Sequence, residues 1–404
     1  MATICLILTH DLITYNIIIM PTRSKIAKQA ALGLEHFKDL ASKRPVLIGF
    51  DGFVDSIIQL VDKRQDAEHY QPVKTIKQFG EKILQAAGQS ANYELVTLQR
   101  KLGGNGPIMA ESLACLGLPV IYVGAVGYPD LHAVFQPLAE HAEVCGIAEP
   151  GFTDALEFAD GKLMLGKIDK FSDVNPEEIE ITLGLDTFNA YVARAYLVGM
   201  VNWTMLTRMN DIWRMMIDSV LPEVGVNVGH KRRLIFIDMA DPEKRTNQDI
   251  DQALQLCSEL NEHTDVILGM NLKEANQISQ ILDIKTEPKP DQAIEAIAKA
   301  IRQRIDLHCV VIHPRHQAAA AIRDHEGHIQ SATFNGPYTV NPTLSTGAGD
   351  NFNAGFCIAL LANMPLEESL CIATATSGYY VRNGNSPDLD QLTEFIKHMP
   401  EPEK

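Results

Sequence analysis

The sequence predicts an α/β fold, with a mostly parallel central sheet and helices on both faces. Two patterns support this. Short apolar runs alternate with longer stretches of helical periodicity along most of the chain, and a glycine-punctuated loop runs straight into an almost wholly apolar helix. With 404 residues, the chain has room for one large α/β domain or two ordinary ones.

Residues 1–20, MATICLILTHDLITYNIIIM, are apolar but broken by His10, Asp11 and Asn16, with no basic segment before them. They are too short and interrupted for a membrane span and poor as a signal peptide. We read them as a dispensable extension. Met20, followed by an amphipathic helix over Ser24–Leu40, is a more natural start, and the folded domain is expected over 21–400. Strands are then expected at Val46–Phe50, Val120–Val126, Ala195–Met200, Leu234–Asp238, Val266–Met270 and His308–His313. Helices are expected at Ile76–Ala87, Pro107–Leu116, Met205–Val220, Gln248–Asn261, Asn271–Leu282, Asp291–Arg304, Ala348–Asn363, Leu366–Val381 and Leu389–His398. Asp160-Gly161 between Ala155–Phe158 and Lys162–Lys167 signals a hairpin. A second turn, Arg323–Gly327, separates the alternating runs Ala318–Ile322 and Ile329–Phe334.

Apolar content of 46% with 21% charged residues describes a soluble globular protein. The net charge of −16 leaves no basic excess to neutralise a nucleic-acid backbone, so neither nucleic acid nor membrane is expected as a partner. The seven cysteines are scattered, odd in number and without a C-x-x-C pair. They read as buried thiols in a reducing cytoplasm.

The most informative stretch is Ser345-Thr346-Gly347-Ala348-Gly349-Asp350-Asn351-Phe352-Asn353-Ala354-Gly355-Phe356. Glycines let backbone N–H groups approach an anion, and a helix start offers unpaired amides and partial positive charge. A carboxylate there would repel a merely bound phosphate. It makes sense if Asp350 takes a proton from a hydroxyl that attacks phosphorus, as a carboxylate of ordinary pKa near 4 can at pH 7. The loop reads as an anion hole (Gly347, Ala348, Gly349) plus a general base (Asp350), the minimum equipment for phosphoryl transfer. Asp350 could also be an ordinary first-turn helix residue.

Ser345 to Phe356 resembles the C-terminal signature of the PfkB/ribokinase-like carbohydrate kinases, D-T-x-G-A-G-D-x-F-x-x-G-F. Leu102-Gly103-Gly104-Asn105-Gly106-Pro107-Ile108-Met109-Ala110, continuing to Leu113-Ala114-Cys115-Leu116-Gly117, resembles the family's G-G-x-x-x-x-x-A-x-x-x-A-x-L-G signature. Asn271-Leu272-Lys273-Glu274 matches its N-x-x-E motif. The three stand in the family's order, and the resemblance covers the chain from about residue 45 to 397.

The resemblance implies a ribokinase-like fold with a small β-sheet lid, contributed here by about 55–102 and 153–170, closing over the sugar and serving as a homodimer surface. It implies ATP as phosphoryl donor and Mg²⁺ as cofactor, with a small-molecule sugar and a nucleotide as partners. Asn271 and Glu274 would order the metal through water, although their spacing fits a helix capping box equally well. Asp51 and Asp55 would accept hydrogen bonds from sugar hydroxyls, Asp55 being the better candidate because turn chemistry explains Asp51. Gly103, Gly104 and Asn105 would complete the sugar pocket.

Three departures stand out. The family's T-x-G-x-x-G turn is His313-Pro314-Arg315-His316-Gln317-Ala318 here, so Arg315 would contact the nucleotide by charge. Leu344 replaces the aspartate expected before Gly347, which weakens any monovalent-cation site. Ile108 replaces a sugar-binding asparagine, pointing away from the commonest pentose. The pairs His313/His316 and His325/His328 lack the third ligand that zinc needs. In Asp238–Arg245, Lys244 or Arg245 could reach a nucleotide phosphate. Besides an ATP-dependent sugar kinase, the residues leave open a nucleoside kinase, an ADP-dependent sugar kinase of the same fold, or a sugar-binding regulatory protein without catalysis.

Overall fold

The computed structural model describes residues 22–285, 293–324 and 326–403. The extension expected over residues 1–20, with Cys5, lies outside them, as do the first residues of the helix expected from Asp291, and His325.

Nine strands form the central sheet. Ala142–Gly146, Val120–Gly124, Val46–Phe50, Leu197–Val201, Leu234–Asp238, Asp265–Met270 and Cys309–Ile312 lie side by side in that order, all parallel. The hairpin of Gln317–Arg323 and Ile329–Asn335 adds two antiparallel strands at one edge. The parallel strands are nearly continuous apolar runs because both faces are covered. Side-chain alternation splits the core in two. Leu47, Ile235, Ile237, Val266 and Leu268 pack with the helices Leu185–Arg194, Met209–Met215, Asn247–His263 and Leu272–Ile281. Val46, Ile48, Phe236 and Ile267 pack with Arg23–Ala41, Asn105–Cys115, Ala348–Leu361 and Leu366–Asn383.

A second, five-stranded sheet leaves the first directly after Val46–Phe50. Its spine, Phe53–Arg64, pairs with Leu95–Gly103 and Tyr70–Pro72 antiparallel and with Gly151–Phe158 in parallel, and the last pairs with Gly161–Lys167. Helix Ile76–Gln85 lies where the sequence predicts it, within the insertion between two of these strands.

The helix expected over Met205–Val220 begins only at Met209 and continues as a π-helical turn from Met216 to Val220. Two further helices, Pro176–Thr182 and Leu185–Arg194, were not predicted, although Asn175 and Pro176 carry a helix-start signal and the Asn175 side chain caps the first of them. Of the described cysteines, four are buried, Cys115 and Cys145 are half-buried, and all six are free thiols. No described helix is long and apolar enough to cross a membrane.

Candidate active site

The carboxyl ends of the parallel strands bring the signature residues together, the position at which open α/β sheets bind ligands. Gly347 caps the helix Ala348–Leu361 with φ 90° and offers no side-chain hydrogen bond. A Cβ at that position would lie 2.8 Å from the Tyr380 hydroxyl oxygen, which itself donates to the Thr346 carbonyl. Glycine is therefore required twice, for its positive φ and for its missing side chain. The Ala348 N–H donates to the Ser345 carbonyl at 3.2 Å and Asn351 N–H to Gly347. The start of the helix borders a cleft of about 690 Å³ that Ala348 and Gly349 line.

Asp350 is 7% exposed, and burial pushes its carboxyl up to about 7. The Asn105 amide opposes this by donating to Oδ1 at 2.8 Å, while the negative charges of Asp51 and Glu274 reinforce it. The sequence reading of an ordinary carboxylate is corrected here, because the surroundings that enclose Asp350 come from several distant segments.

Asn105 opens helix Asn105–Cys115, whose N-cap Gly104 (φ 101°) has no side chain to satisfy the first amides. Asp51 does so from the end of the first strand. Its Oδ2 accepts from Asn105 N–H (3.0 Å) and from the Asn202 amide (2.7 Å), and its Oδ1 accepts from Gly106 N–H (2.8 Å). The Tyr122 hydroxyl donates to the Asp51 carbonyl. Asp51 has no exposed surface, and burial holds its carboxyl up at about 6. The sugar contact expected of Asp51 thus does not fit: its carboxylate is enclosed behind the pocket wall and committed to amides. Asp55 is different. It sits on Phe53–Arg64 in register with Lys101 on one side and Thr153 on the other, 6% exposed, with its carboxyl raised by burial against the pull of the Thr153 hydrogen bond and the Lys101 and Lys162 charges. Its carboxylate lies so close over Gly103 that a Cβ there would be 2.4 Å from Oδ2.

Asn271 and Glu274 form the capping box of helix Leu272–Ile281. The Asn271 side chain accepts from Glu274 N–H (3.0 Å), and Glu274 accepts from Asn271 N–H (2.8 Å) and Asp241 N–H (2.9 Å). Nearby Asp238 accepts from the Asn353 amide and from Ala240 N–H. Burial, together with the charges of Glu274 and Asp350, pushes the Asp238 carboxyl well up. No Lys or Arg pairs with Asp238 or Asp350 among the described residues. No three described His, Cys, Asp or Glu side chains converge closely enough to hold a metal ion directly. This unbalanced negative charge fits a divalent cation held through water and phosphate rather than in an all-protein cage.

Arg315 is exposed at the edge of the cleft, which Asn271, His313, Tyr338 and Ser345 also line. His313 stacks on Phe352 at 4.6 Å between ring centroids, and burial lowers its pKa to about 4, so it is a neutral wall rather than a cation. His316 stacks on Tyr338. Arg245 lies over the Trp203 ring and Lys244 lies 3.8 Å from Asp241, and neither lines the cleft. Sequence reasoning missed Asn202 and Tyr380. Asn202 directly follows an apolar strand, which was an available signal; nothing local marks Tyr380.

The prokaryotic ketohexokinase family model matches residues 26–399. The chain belongs to this family. A ketohexokinase from Haloferax volcanii is 28% identical over 355 residues, covering 87% of this chain and 90% of that protein. Among solved structures, Arabidopsis thaliana ribokinase complexed with ribose and ATP superposes with a TM-score of 0.58 at 17% identity, covering 88% of this chain and 99% of that one. An E. coli ribokinase II-type protein in complex with ATP and Mg²⁺ gives 0.56 at 14% identity, covering 88% and 99%. The ribokinase fold and membership of the PfkB/ribokinase-like carbohydrate kinases expected from the sequence are thereby confirmed. The protein is a carbohydrate kinase, a phosphotransferase with an alcohol group as acceptor.

Proposed function

We propose that the protein transfers the γ-phosphoryl group of ATP to a hydroxyl of a ketohexose, with Asp350 as general base. The observation that carries this reading is the bond from the Asn105 amide to Asp350 Oδ1, 2.8 Å long. It joins the double-glycine loop, which would hold the sugar, to the helix start, which would hold the transferring phosphoryl group.

The sugar lies against Gly103, Gly104 and Asn105, with Asp55 accepting its hydroxyls and the second sheet acting as a lid. Asp51 holds the pocket wall in place from behind. Ionised Asp350 takes the acceptor's proton as its oxygen attacks phosphorus, and a carboxyl titrating at about 7 is well matched to that task near neutral pH. Amides at Gly347 and Gly349 and the dipole of the following helix offset the charge that builds on the phosphoryl oxygens, and the Ala348 amide joins them on turning from the Ser345 carbonyl. The nucleotide fills the 690 Å³ cleft, with Arg315 reaching its phosphates. Glu274 and Asn271 would hold Mg²⁺ through water, with Asp238 adding negative charge beside them. Bound there, the ion would supply positive charge to offset that of the phosphates. The cleft persists although both glycines of the usual nucleotide turn are absent, which argues against a binding protein without catalysis. The lid exposes Leu98, Met164 and Leu165, and a second copy of the chain covers them in a homodimer.

An ADP-release assay with Mg-ATP, paired with an AMP-release assay with Mg-ADP, against fructose, other ketohexoses, ribose and nucleosides tests the reading. Turnover strongest with a ketohexose supports it. Turnover strongest with a nucleoside, or only with ADP as donor, overturns it.

A further inference from the structure

Asn202 lies outside all three signature motifs, yet it is enclosed (2% exposed) at the carboxyl end of the strand Leu197–Val201. Its φ of 60° is left-handed, a conformation that side chains other than Asn, Asp and Gly adopt only with strain. Its side-chain nitrogen donates to Asp51 Oδ2 at 2.7 Å, while its Oδ1, also buried, accepts nothing among the described residues. The residue is therefore there as a donor to Asp51.

Asp51 in turn supplies what helix Asn105–Cys115 lacks. With glycine at the N-cap, the first amides of the helix have no local acceptor, and the Asp51 carboxylate accepts from Asn105 and Gly106 instead. It also favours the positive end of the helix dipole. The residue so anchored by its backbone is Asn105, whose side chain donates to Asp350. We infer that Asn202 is a positioning residue for phosphoryl transfer: by fixing Asp51 it sets the start of helix Asn105–Cys115 and so holds the Asn105 amide on the catalytic carboxylate. This rests on Asp350 being the base.

The charged and titratable groups around the pair come from several elements. Asp51 faces Tyr122, Asn105, Asn202 and the charge of Asp350, and Asp350 faces Asn105, Glu274, Asp238 and Tyr380. Removing the Asn202 donor lets the Asp51 carboxyl hold its proton to higher pH, and releasing the Asn105 amide from Asp350 Oδ1 does the same for Asp350.

The test compares Asn202→Gly, Asn202→Asp and Asp350→Asn in steady-state kinetics across pH 5.5–9 with fructose and Mg-ATP, alongside calorimetry of Mg-ATP binding. Glycine fits the left-handed φ and removes only the amide. Aspartate keeps the shape and replaces the donor with an acceptor, which provides a second folded variant if glycine is poorly tolerated. Expected are a 10- to 100-fold lower kcat in both position-202 variants, unchanged Mg-ATP affinity, and an acidic limb of kcat/KM moved to higher pH. A folded Asn202→Gly enzyme with wild-type kcat and an unmoved limb overturns the inference. So does a fall in kcat without any movement of the limb, which a general loosening of the fold would give. If Asp350→Asn retains activity, the base assignment fails and takes this inference with it. If Asp350→Asn is inactive while Asn202→Gly is unaffected, only the role of Asn202 falls.

Discussion

Asn105 and Asp350 are 245 residues apart in the chain and share a 2.8 Å hydrogen bond, amide nitrogen to carboxylate oxygen, at the carboxyl edge of the sheet. One belongs to the double-glycine loop and the other to the Gly347–Asp350 helix start, so this contact ties the two signature segments together. Four predictions follow from the surroundings of this pair.

Replacing Asp350 by Asn removes the proposed base and keeps the shape. Turnover should fall about 10²- to 10⁴-fold, measured as ADP release with fructose, while Mg-ATP affinity holds. A variant with more than a tenth of wild-type turnover rules out the assignment.

The same substitution should stabilise the ligand-free protein. Burial pushes the Asp350 carboxyl up to about 7 in the folded protein, against 3.8 for an unperturbed aspartate. A raised carboxyl favours the fold fully below pH 4 and loses that contribution as pH rises through 7, a cost of up to roughly 4 kcal/mol above it. The melting temperature of Asp350→Asn should therefore exceed wild type by roughly 2–6 °C at pH 8 and converge with it near pH 4. A constant difference across this range would show that the carboxyl is not raised.

For catalysis, the ionised form is needed. kcat/KM for the sugar should fall below an acidic limb centred at about 7, measured under saturating Mg-ATP. A limb near 4 would mean that the bound nucleotide and metal ion restore an ordinary carboxylate.

Gly103→Ala and Arg315→Ala should separate the two halves of the site. A Cβ on residue 103 meets the Asp55 carboxylate at 2.4 Å, so this variant should raise KM for the sugar at least about 10-fold and leave Mg-ATP binding alone. Arg315→Ala should weaken Mg-ATP about 5- to 10-fold, in line with loss of one exposed charge-assisted contact, and leave the sugar KM unchanged. The opposite pattern in either variant would exchange the sugar and nucleotide sides.

Local pattern made much of this architecture legible. Leu234–Asp238 and Val46–Phe50 were predicted to the residue because apolar strands buried on both faces announce themselves in five consecutive side chains. Gly347 was legible because a helix start with positive φ leaves little choice of residue. The second sheet was only half legible. Phe53–Arg64 passes from buried to exposed along its length, and its partner Leu95–Gly103 is mostly exposed, so neither shows a clean apolar period.

By itself, then, the sequence determined the parallel sheet, the glycine-rich helix start and the three motifs that place the chain among the carbohydrate kinases. These are properties of contiguous residues, set by side-chain period and backbone freedom. Only the tertiary structure decided that the Asp51 carboxylate is enclosed on the amides of Asn105, Gly106 and Asn202 while that of Asp55 lies over Gly103, and that burial pushes the Asp350 carboxyl up to about 7 rather than near 4. Those outcomes depend on what encloses each carboxylate. The enclosing groups arrive from strands and helices far apart in the chain, where no local pattern can register them.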